Sequence, residues 1–208
     1  MESMGGRSPG RAGDLAAGQG RHAVYLAEQG WDTTAVDFSE VAIEKGRMLS
    51  RGFELPVRWE LRDLADYTPP QAHYDFVCVF YLHMPWEEYA EILRRAAAAV
   101  TPGGTLLVVG HDRSNIEHGS GGPQDPAVLY TPADITSVLK HLSGSAEAAA
   151  ASTDGKSGAA APTEPSSAPR ASFEIIRAET QTNPVDHGHA GAGSEQIDCI
   201  VAARRPEG

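Results

Sequence analysis

The sequence predicts an α/β protein, with a doubly wound, mostly parallel sheet, helices on both faces and an antiparallel hairpin at the C-terminal end. Three observations predict it. Apolar residues switch repeatedly between a period of two and one of about 3.6, strand to helix and back. The run Asp75–Tyr81 (DFVCVFY) is almost continuously β-branched and aromatic, as a central strand covered on both faces must be. The last two strand-like runs, Phe173–Ala178 and Ile197–Ala203, have no convincing helix between them, so they pair antiparallel.

Taken in order, a short strand at Ala12–Leu15 runs into a glycine-containing turn. A helix follows with Ala23, Leu26 and Ala27 on one face, closed by Gly30 just past its end. Thr33–Val36 forms a second strand ending at Asp37, and Ser39 caps a helix that runs toward Gly52. Val57, Trp59 and Leu61 alternate in a third strand that ends near Asp63. After Asp75–Tyr81, the spacing of Tyr89, Ile92, Leu93, Ala96 and Val100 predicts a helix whose Ala96–Ala99 surface packs closely on the sheet. Pro102-Gly103-Gly104 is expected to turn the chain into a strand at Thr105–Val109. Thr131, Pro132 and Asp134 supply an N-cap, a first-turn proline and a capping-box carboxylate for a helix ending near Leu142.

At 208 residues, with residues 1–10 expected to be flexible and Ser143–Ser172 so rich in Ala, Ser, Gly and Pro that a disordered insertion is expected, the chain accommodates one domain. A net charge of −11 argues against a phosphate-driven nucleic-acid surface. No apolar run is long enough to span a membrane, and MESMGGRSPGRAG lacks the apolar centre of a signal peptide, so a cytoplasmic protein with no membrane partner is expected. Cys78 and Cys199 lie in apolar strand-like runs without metal-ligand spacing, which reads as two buried free thiols. The sequence is silent on oligomeric state.

The chemistry concentrates at the first turn. Asp14-Leu-Ala-Ala-Gly18-Gln-Gly20 puts small residues where the first strand becomes the first helix, so that backbone can approach a ligand closely. Asp37 ends the second strand about 20 residues on, where a carboxylate can accept both hydroxyls of a ribose. This geometry is Rossmann-like and serves two ligand classes. A dinucleotide needs its pyrophosphate on the helix N-terminus, normally through G-x-G-x-x-G, whereas Ala23 stands where the last glycine belongs. An adenosyl ligand without phosphate needs only close backbone and acidic partners.

The segments Asp14-Leu-Ala-Ala-Gly-Gln-Gly-Arg21, Ala35-Val-Asp-Phe-Ser39, Arg62-Asp-Leu64, Tyr74-Asp-Phe-Val77 and Pro102-Gly-Gly-Thr-Leu106 resemble, in order and spacing, the successive motifs of class I S-adenosylmethionine-dependent methyltransferases. The likeness covers roughly Asp14 to Gly110. It looks closest to the small-molecule branch of tellurite-resistance and thiopurine methyltransferases, judged by Gly20-Arg-His-Ala-Val-Tyr-Leu-Ala-Glu-Gln-Gly-Trp31 and Tyr81-Leu-His-Met-Pro85. The resemblance implies S-adenosylmethionine as cofactor and a small-molecule methyl acceptor. It implies that Asp14, Ala16, Gly18 and Gly20 line the methionine end and that Asp37 binds the ribose. Phe38 would lie against the adenine, Asp63 would accept from its exocyclic amine, Leu64 would pack nearby, and Tyr81 would face cofactor or substrate.

The chain departs from the family pattern at three places. Ala16 replaces the first glycine, a change that is tolerable if its backbone stays ordinary, and Gly13 replaces an aliphatic residue inside the first strand. Only 13 residues precede Asp14, where the family carries a covering helix, so the expectation is either that the start is missing or that the cofactor site is open. Two other readings stand beside methyl transfer: a cofactor-binding domain without activity, and a nicotinamide-dependent oxidoreductase.

His83 after the fourth strand, and His111 with Asp112 after the fifth, lie at the carboxyl end of the sheet, where a histidine can serve as general base. Gly110–Thr131, with Gly119, Gly121, Gly122, Gln124 and Asp125, reads as a long polar loop that shapes the substrate site. His187-Gly-His189 lacks a third ligand at recognisable spacing and reads as a polar hairpin loop, with no metal expected.

Overall fold

The computed structural model describes residues 9–140, 142, 173–184 and 194–207. Seven strands form one sheet in the order β3-β2-β1-β4-β5-β7-β6. They are β1 (Arg11–Leu15), β2 (Asp32–Asp37), β3 (Val57–Leu61), β4 (Tyr74–Phe80), β5 (Val100–His111), β6 (Glu174–Pro184) and β7 (Glu195–Arg204). The first five pair parallel, while β7 is antiparallel to both β5 and β6. The helices are α1 (Arg21–Glu28), α2 (Glu40–Gly52), α3 (Trp86–Ala99), the short α4 (Asn115–His118) and α5 (Pro132–Lys140). The order reverses at β1 and β4, which places the ligand-binding crevice at their carboxyl ends.

The period-two alternation of the strands divides the core. Val77 and Val79, with Leu106, Val108 and Val201, face α3 and α5 and pack on Tyr89, Leu93, Ala96, Ile135 and Leu139. Phe76, Cys78 and Leu107 point the other way, onto Leu26 and Trp31, with Phe80, Val109 and Ile200 half-buried beside them. The expected caps form. Ser39 Oγ accepts from the Ala42 N–H at 3.2 Å, and Thr131 and Asp134 exchange side-chain and backbone hydrogen bonds as a capping box. After α1, Gly30 at φ 87° donates to Ala27 O and Trp31 donates to Leu26 O, the paired bonds of a Schellman end.

Several boundaries differ from the sequence reading. Pro102-Gly103-Gly104 is not a separate turn: α3 stops at Ala99, β5 begins at Val100, and a register shift opposite Tyr74–Phe76 absorbs Gly103 at φ 74°. The Gly103 N–H donates to Arg205 O at 2.7 Å, tying this irregular stretch to the chain after β7. The terminal strands are longer than expected, because polar residues such as Gln181, Thr182 and Asn183 continue the β6 ladder. The segment Gly110–Thr131 is only partly loop, since it carries α4, one 3₁₀ turn at Pro126–Val128 and a bridge from Asp112 to Tyr130. Residues 1–8, Ser143–Ser172 and His187-Gly-His189 lie outside the described residues.

Trp59 locks the first half of the sheet to its helices. Its indole N–H donates to Ser50 Oγ at 3.1 Å, and its ring edge fills the space that side chains at Gly20 and Gly46 would need. A Cβ at Gly46 would stand 2.3 Å from the ring. Gly46→Ala should therefore lower stability by about 1–2 kcal/mol despite better helix propensity. In a Trp59→Leu background the same change should be neutral or stabilising by up to about 1 kcal/mol. Urea denaturation of the four proteins measures the coupling.

Candidate functional site

The turn after β1 is built by three consecutive constraints. Ala16 sits at φ 65°, Gly18 at φ 54° and Gly20, the N-cap of α1, at φ 73°. Ala16 thus does not keep an ordinary backbone. It holds the left-handed conformation that a glycine would adopt without penalty, while an alanine pays about 1–2 kcal/mol. The two glycines serve different purposes. Gly18 has open space in front of its α-carbon, so its role lies in the dihedrals that aim its N–H at Asp37 Oδ2, 2.8 Å away. Gly20 faces the Trp59 ring instead, where a Cβ would stand 2.0 Å away, so close packing accounts for it before any ligand is considered.

Asp37 is buried at the carboxyl end of β2 and is gripped twice, by Gly18 N–H on Oδ2 and by Ser39 N–H on Oδ1, both at 2.8 Å. A carboxylate has about four lone-pair sites, so each oxygen keeps one for a ligand hydroxyl. Around it lies a cleft of about 220 Å³ lined by Ala16, Asp37, Phe38, Asp63, Leu64, Ala65, Leu82, His83, Met84 and Ile92. Phe38 is 73% exposed at its rim and Leu64 is buried in its wall. Asp63 closes an Asx turn by accepting from Ala65 N–H at 2.9 Å.

Asp14 and Tyr81 stand apart from this cleft. Asp14 has no exposed surface, and its Oδ1 accepts from the Cys78 thiol at 3.4 Å. Burial pushes its pKa up to about 7, against the opposing effects of Cys78 and of the Ala23 N–H in the first turn of α1; the nearby charge of Asp37 adds to the rise. Tyr81, at φ 51°, sends its hydroxyl to Asp198 Oδ2 at 2.9 Å rather than into the cleft. Leu82 and Met84, which the sequence reading did not single out, line the cleft in its place.

The two candidate histidines are brought together. The His83 and His111 rings stack at 5.3 Å and 10°, and His83 continues a column through Tyr130 (5.7 Å) and Tyr89. His83 Nδ1 lies 3.3 Å from Val128 O and its Nε2 accepts from His111 N–H at 3.4 Å, so both ring nitrogens are engaged in the neutral Nδ1–H form. Burial holds its pKa below the ordinary histidine value, more than Val128 O raises it. His111 Nδ1 lies 3.2 Å from Asp198 Oδ1. Asp112, beside it, is buried and accepts from Ser114 N–H and Oγ, which makes it a loop organiser. Asp198 is the residue that sequence reasoning missed. It is an acidic position inside an apolar strand run, and that interruption was its only signal.

Residues 13–104 match the family model described as a methyltransferase domain. A curated relative, Hemagglutinin 1 of Eikenella corrodens, is 30% identical over 104 residues, 49% of this chain and 34% of that protein, so the chain spans about a third of the relative's length. Among solved structures, TehB from Haemophilus influenzae superposes with a TM-score of 0.68 at 17% identity, covering 98% of this chain and 59% of that one. The magnesium protoporphyrin IX methyltransferase of Synechocystis with bound SAM gives 0.62 at 17% identity over 95% and 71% of the two chains. The 1,6-didemethyltoxoflavin-N1-methyltransferase of Burkholderia thailandensis with bound S-adenosylhomocysteine gives 0.61 at 19% over 99% and 74%. The resemblance read from the sequence is borne out as far as a methyltransferase-domain match over residues 13–104 and a fold shared with these methyltransferase structures.

Asp14 yields a pH prediction. The unfolded chain gives up this proton near pH 4 and the folded chain near 7, so folding takes up a proton between those values. The stability contributed by Asp14 is full below about pH 4 and falls as the pH rises through 7. Asp14→Asn should remove that decline and gain stability over the native protein on the order of 4 kcal/mol at pH 8. Urea midpoints of both proteins from pH 4 to 8 test this; parallel curves would refute it.

Proposed function

We propose that this methyltransferase-fold chain binds S-adenosylmethionine at the carboxyl ends of β1, β2 and β3 and methylates a small molecule. One observation carries the reading: Asp37, held by Gly18 and Ser39, presents two oxygens at the rim of a cleft whose remaining walls are apolar apart from Asp63 and His83. In this reading Asp37 takes the ribose hydroxyls, Phe38 and Leu64 flank the adenine and Asp63 accepts from its amine. Ala16, Gly18 and Gly20 shape the turn at the methionine end, and Asp14 lies buried beneath it, near the Ala23 N–H. When bound, the cofactor supplies an electrophilic methyl group on a sulfonium, so alignment of the acceptor provides much of the rate.

The same turn speaks against a nicotinamide dinucleotide. A pyrophosphate needs the free N–H groups at the start of α1. Here the Asp14 carboxylate lies within electrostatic reach of the Ala23 N–H, and Trp59 crowds Gly20. No helix of the described residues is long and apolar enough to cross a membrane. Together with two free, buried thiols this supports a single-domain cytoplasmic enzyme acting on a small molecule rather than on nucleic acid.

S-adenosylhomocysteine should bind in calorimetry, and NADH should not. Asp37→Ala should weaken that binding by about 1.5–3 kcal/mol, the range for hydrogen bonds to a charged group, in a protein whose thermal transition remains cooperative. Unchanged affinity would remove Asp37 from the ribose role.

A further inference from the structure

Beside the cofactor cleft, at the carboxyl ends of β4 and β5 and the amino end of β7, lies a second polar cluster that no methionine or adenine contact explains. Its hub is Asp198, 1% exposed. Oδ2 accepts from Tyr81 Oη, Asn183 Nδ2 and Gln196 Nε2, each at 2.9 Å. Oδ1 faces His111 Nδ1 at 3.2 Å, yet neither atom makes a well-formed hydrogen bond, and both are buried. Two orphaned partners side by side are costly unless something completes them. Catalytic pairs in ligand-free proteins are often misaligned in this way and tighten when substrate arrives. Burial acts to raise the Asp198 pKa, but the close His111 ring and the hydrogen bonds from Gln196, Tyr81 and Asn183 outweigh it and hold the carboxyl below its ordinary range, so it stays anionic.

With Nδ1 facing this carboxylate, the basic lone pair of His111 falls to Nε2. That edge of the ring is bordered by Gly122, where a Cβ would stand 2.4 Å from Cδ2 and 2.7 Å from Nε2, so only glycine leaves it uncrowded. His83 does not compete for the role, because both its nitrogens are engaged. The groups facing His111 are Tyr81, His83, Asp198 and the adjacent Asp112. The nearest cation in sequence, Arg113, turns to Leu129 O and Asp134. An anionic acceptor would meet carboxylates here, with the Arg113 guanidinium turned away. An uncharged acceptor that must lose a proton suits the site, and the Tyr81 ring, 41% exposed, offers it an aromatic face.

We propose that His111 is the general base for a phenolic hydroxyl acceptor, with Asp198 as the positioning residue that fixes its Nδ1–H form. As the acceptor O–H bond breaks, its proton passes to Nε2. The oxygen forms its bond to the methyl carbon while the carbon–sulfur bond breaks, sulfur keeping the electron pair. The proton then leaves His111 to solvent. This rests on the cofactor reading above and adds the acceptor class.

The test uses the full chain and its His111→Gln and Asp198→Asn variants, first titrated with S-adenosylhomocysteine. Failure of the native protein to bind would overturn the cofactor reading itself; equal binding by all three isolates the acceptor step. With catechol and 4-methylphenol as acceptors and thiophenol and selenite as contrasts, the native chain should methylate the phenols. His111→Gln should lower kcat about 100-fold or more, and Asp198→Asn about 10-fold, with the KM for cofactor unchanged. Independently of turnover, ¹⁵N NMR of the native imidazoles should show His111 protonated at Nδ1 and bare at Nε2, and Asp198→Asn should disturb that tautomer. Turnover of thiophenol or selenite without the phenols, no turnover of any phenol, undiminished kcat in His111→Gln, or a proton on Nε2 would each overturn the proposal.

Discussion

The Asp37 carboxylate is the joint on which the site depends. By accepting Gly18 N–H and Ser39 N–H it fixes the turn after β1 to the start of α2, so that two βα units are held at one set of oxygens. Hydrogen bonds from backbone amides to a carboxylate are charge-assisted and short, and they cost no side-chain entropy on the donor side. Neutralising this group would therefore do more than remove a ligand contact. It would release the turn whose shape depends on Ala16, Gly18 and Gly20 all keeping left-handed dihedrals.

Asp14 and Trp59 support that joint from below and from the side. Asp14 sits under the first turn of α1, where a negative end is favoured by the helix dipole but where burial opposes charge. Trp59 reaches from β3 across Gly20 to Gly46, so the N-cap of α1 and the middle of α2 share one indole ring. The glycine pattern of the turn thus records packing as much as ligand approach, and a motif match alone assigns both glycines to the ligand.

Elements that follow from local rules were legible in the sequence. Continuous apolar runs marked β4, Ser39 and the Thr131–Asp134 pair marked helix starts, and Gly30 marked a helix end. Features set by distant partners were not. The start of β5 is fixed by Arg205 and Gly103 meeting across the chain, and the outer half of β6 is held by ladder bonds to β7 rather than by apolar alternation. Asp37, Phe38, Asp63 and Leu64, which the motif order grouped together, line one cleft. The Tyr81–Asp198 bond, 117 residues apart, has no sequence signature, because Asp198 interrupts an apolar strand and side-chain direction at Tyr81 depends on a backbone outlier.

Two non-glycine outliers, Ala16 at φ 65° and Tyr81 at φ 51°, stand just past the ends of adjacent strands β1 and β4, on either side of the crevice. Each left-handed L-residue costs about 1–2 kcal/mol, and such positions persist only where the surroundings over-determine them. At Tyr81 the determinants are visible: its N–H donates to Val109 O at 2.7 Å and its hydroxyl to Asp198, so the strand is turned outward by bonds at both ends of one residue. At Ala16 the neighbours are the Asp37–Gly18 bond and the Ala17 N–H to Val36 O bond, which pull the turn toward β2. The consequence is geometric. Strain at Ala16 brings the chain toward the Asp37 carboxylate, and strain at Tyr81 takes the aromatic ring away from the cleft and toward His111. The crevice is thereby divided into the cleft around Asp37 and the polar cluster around Asp198.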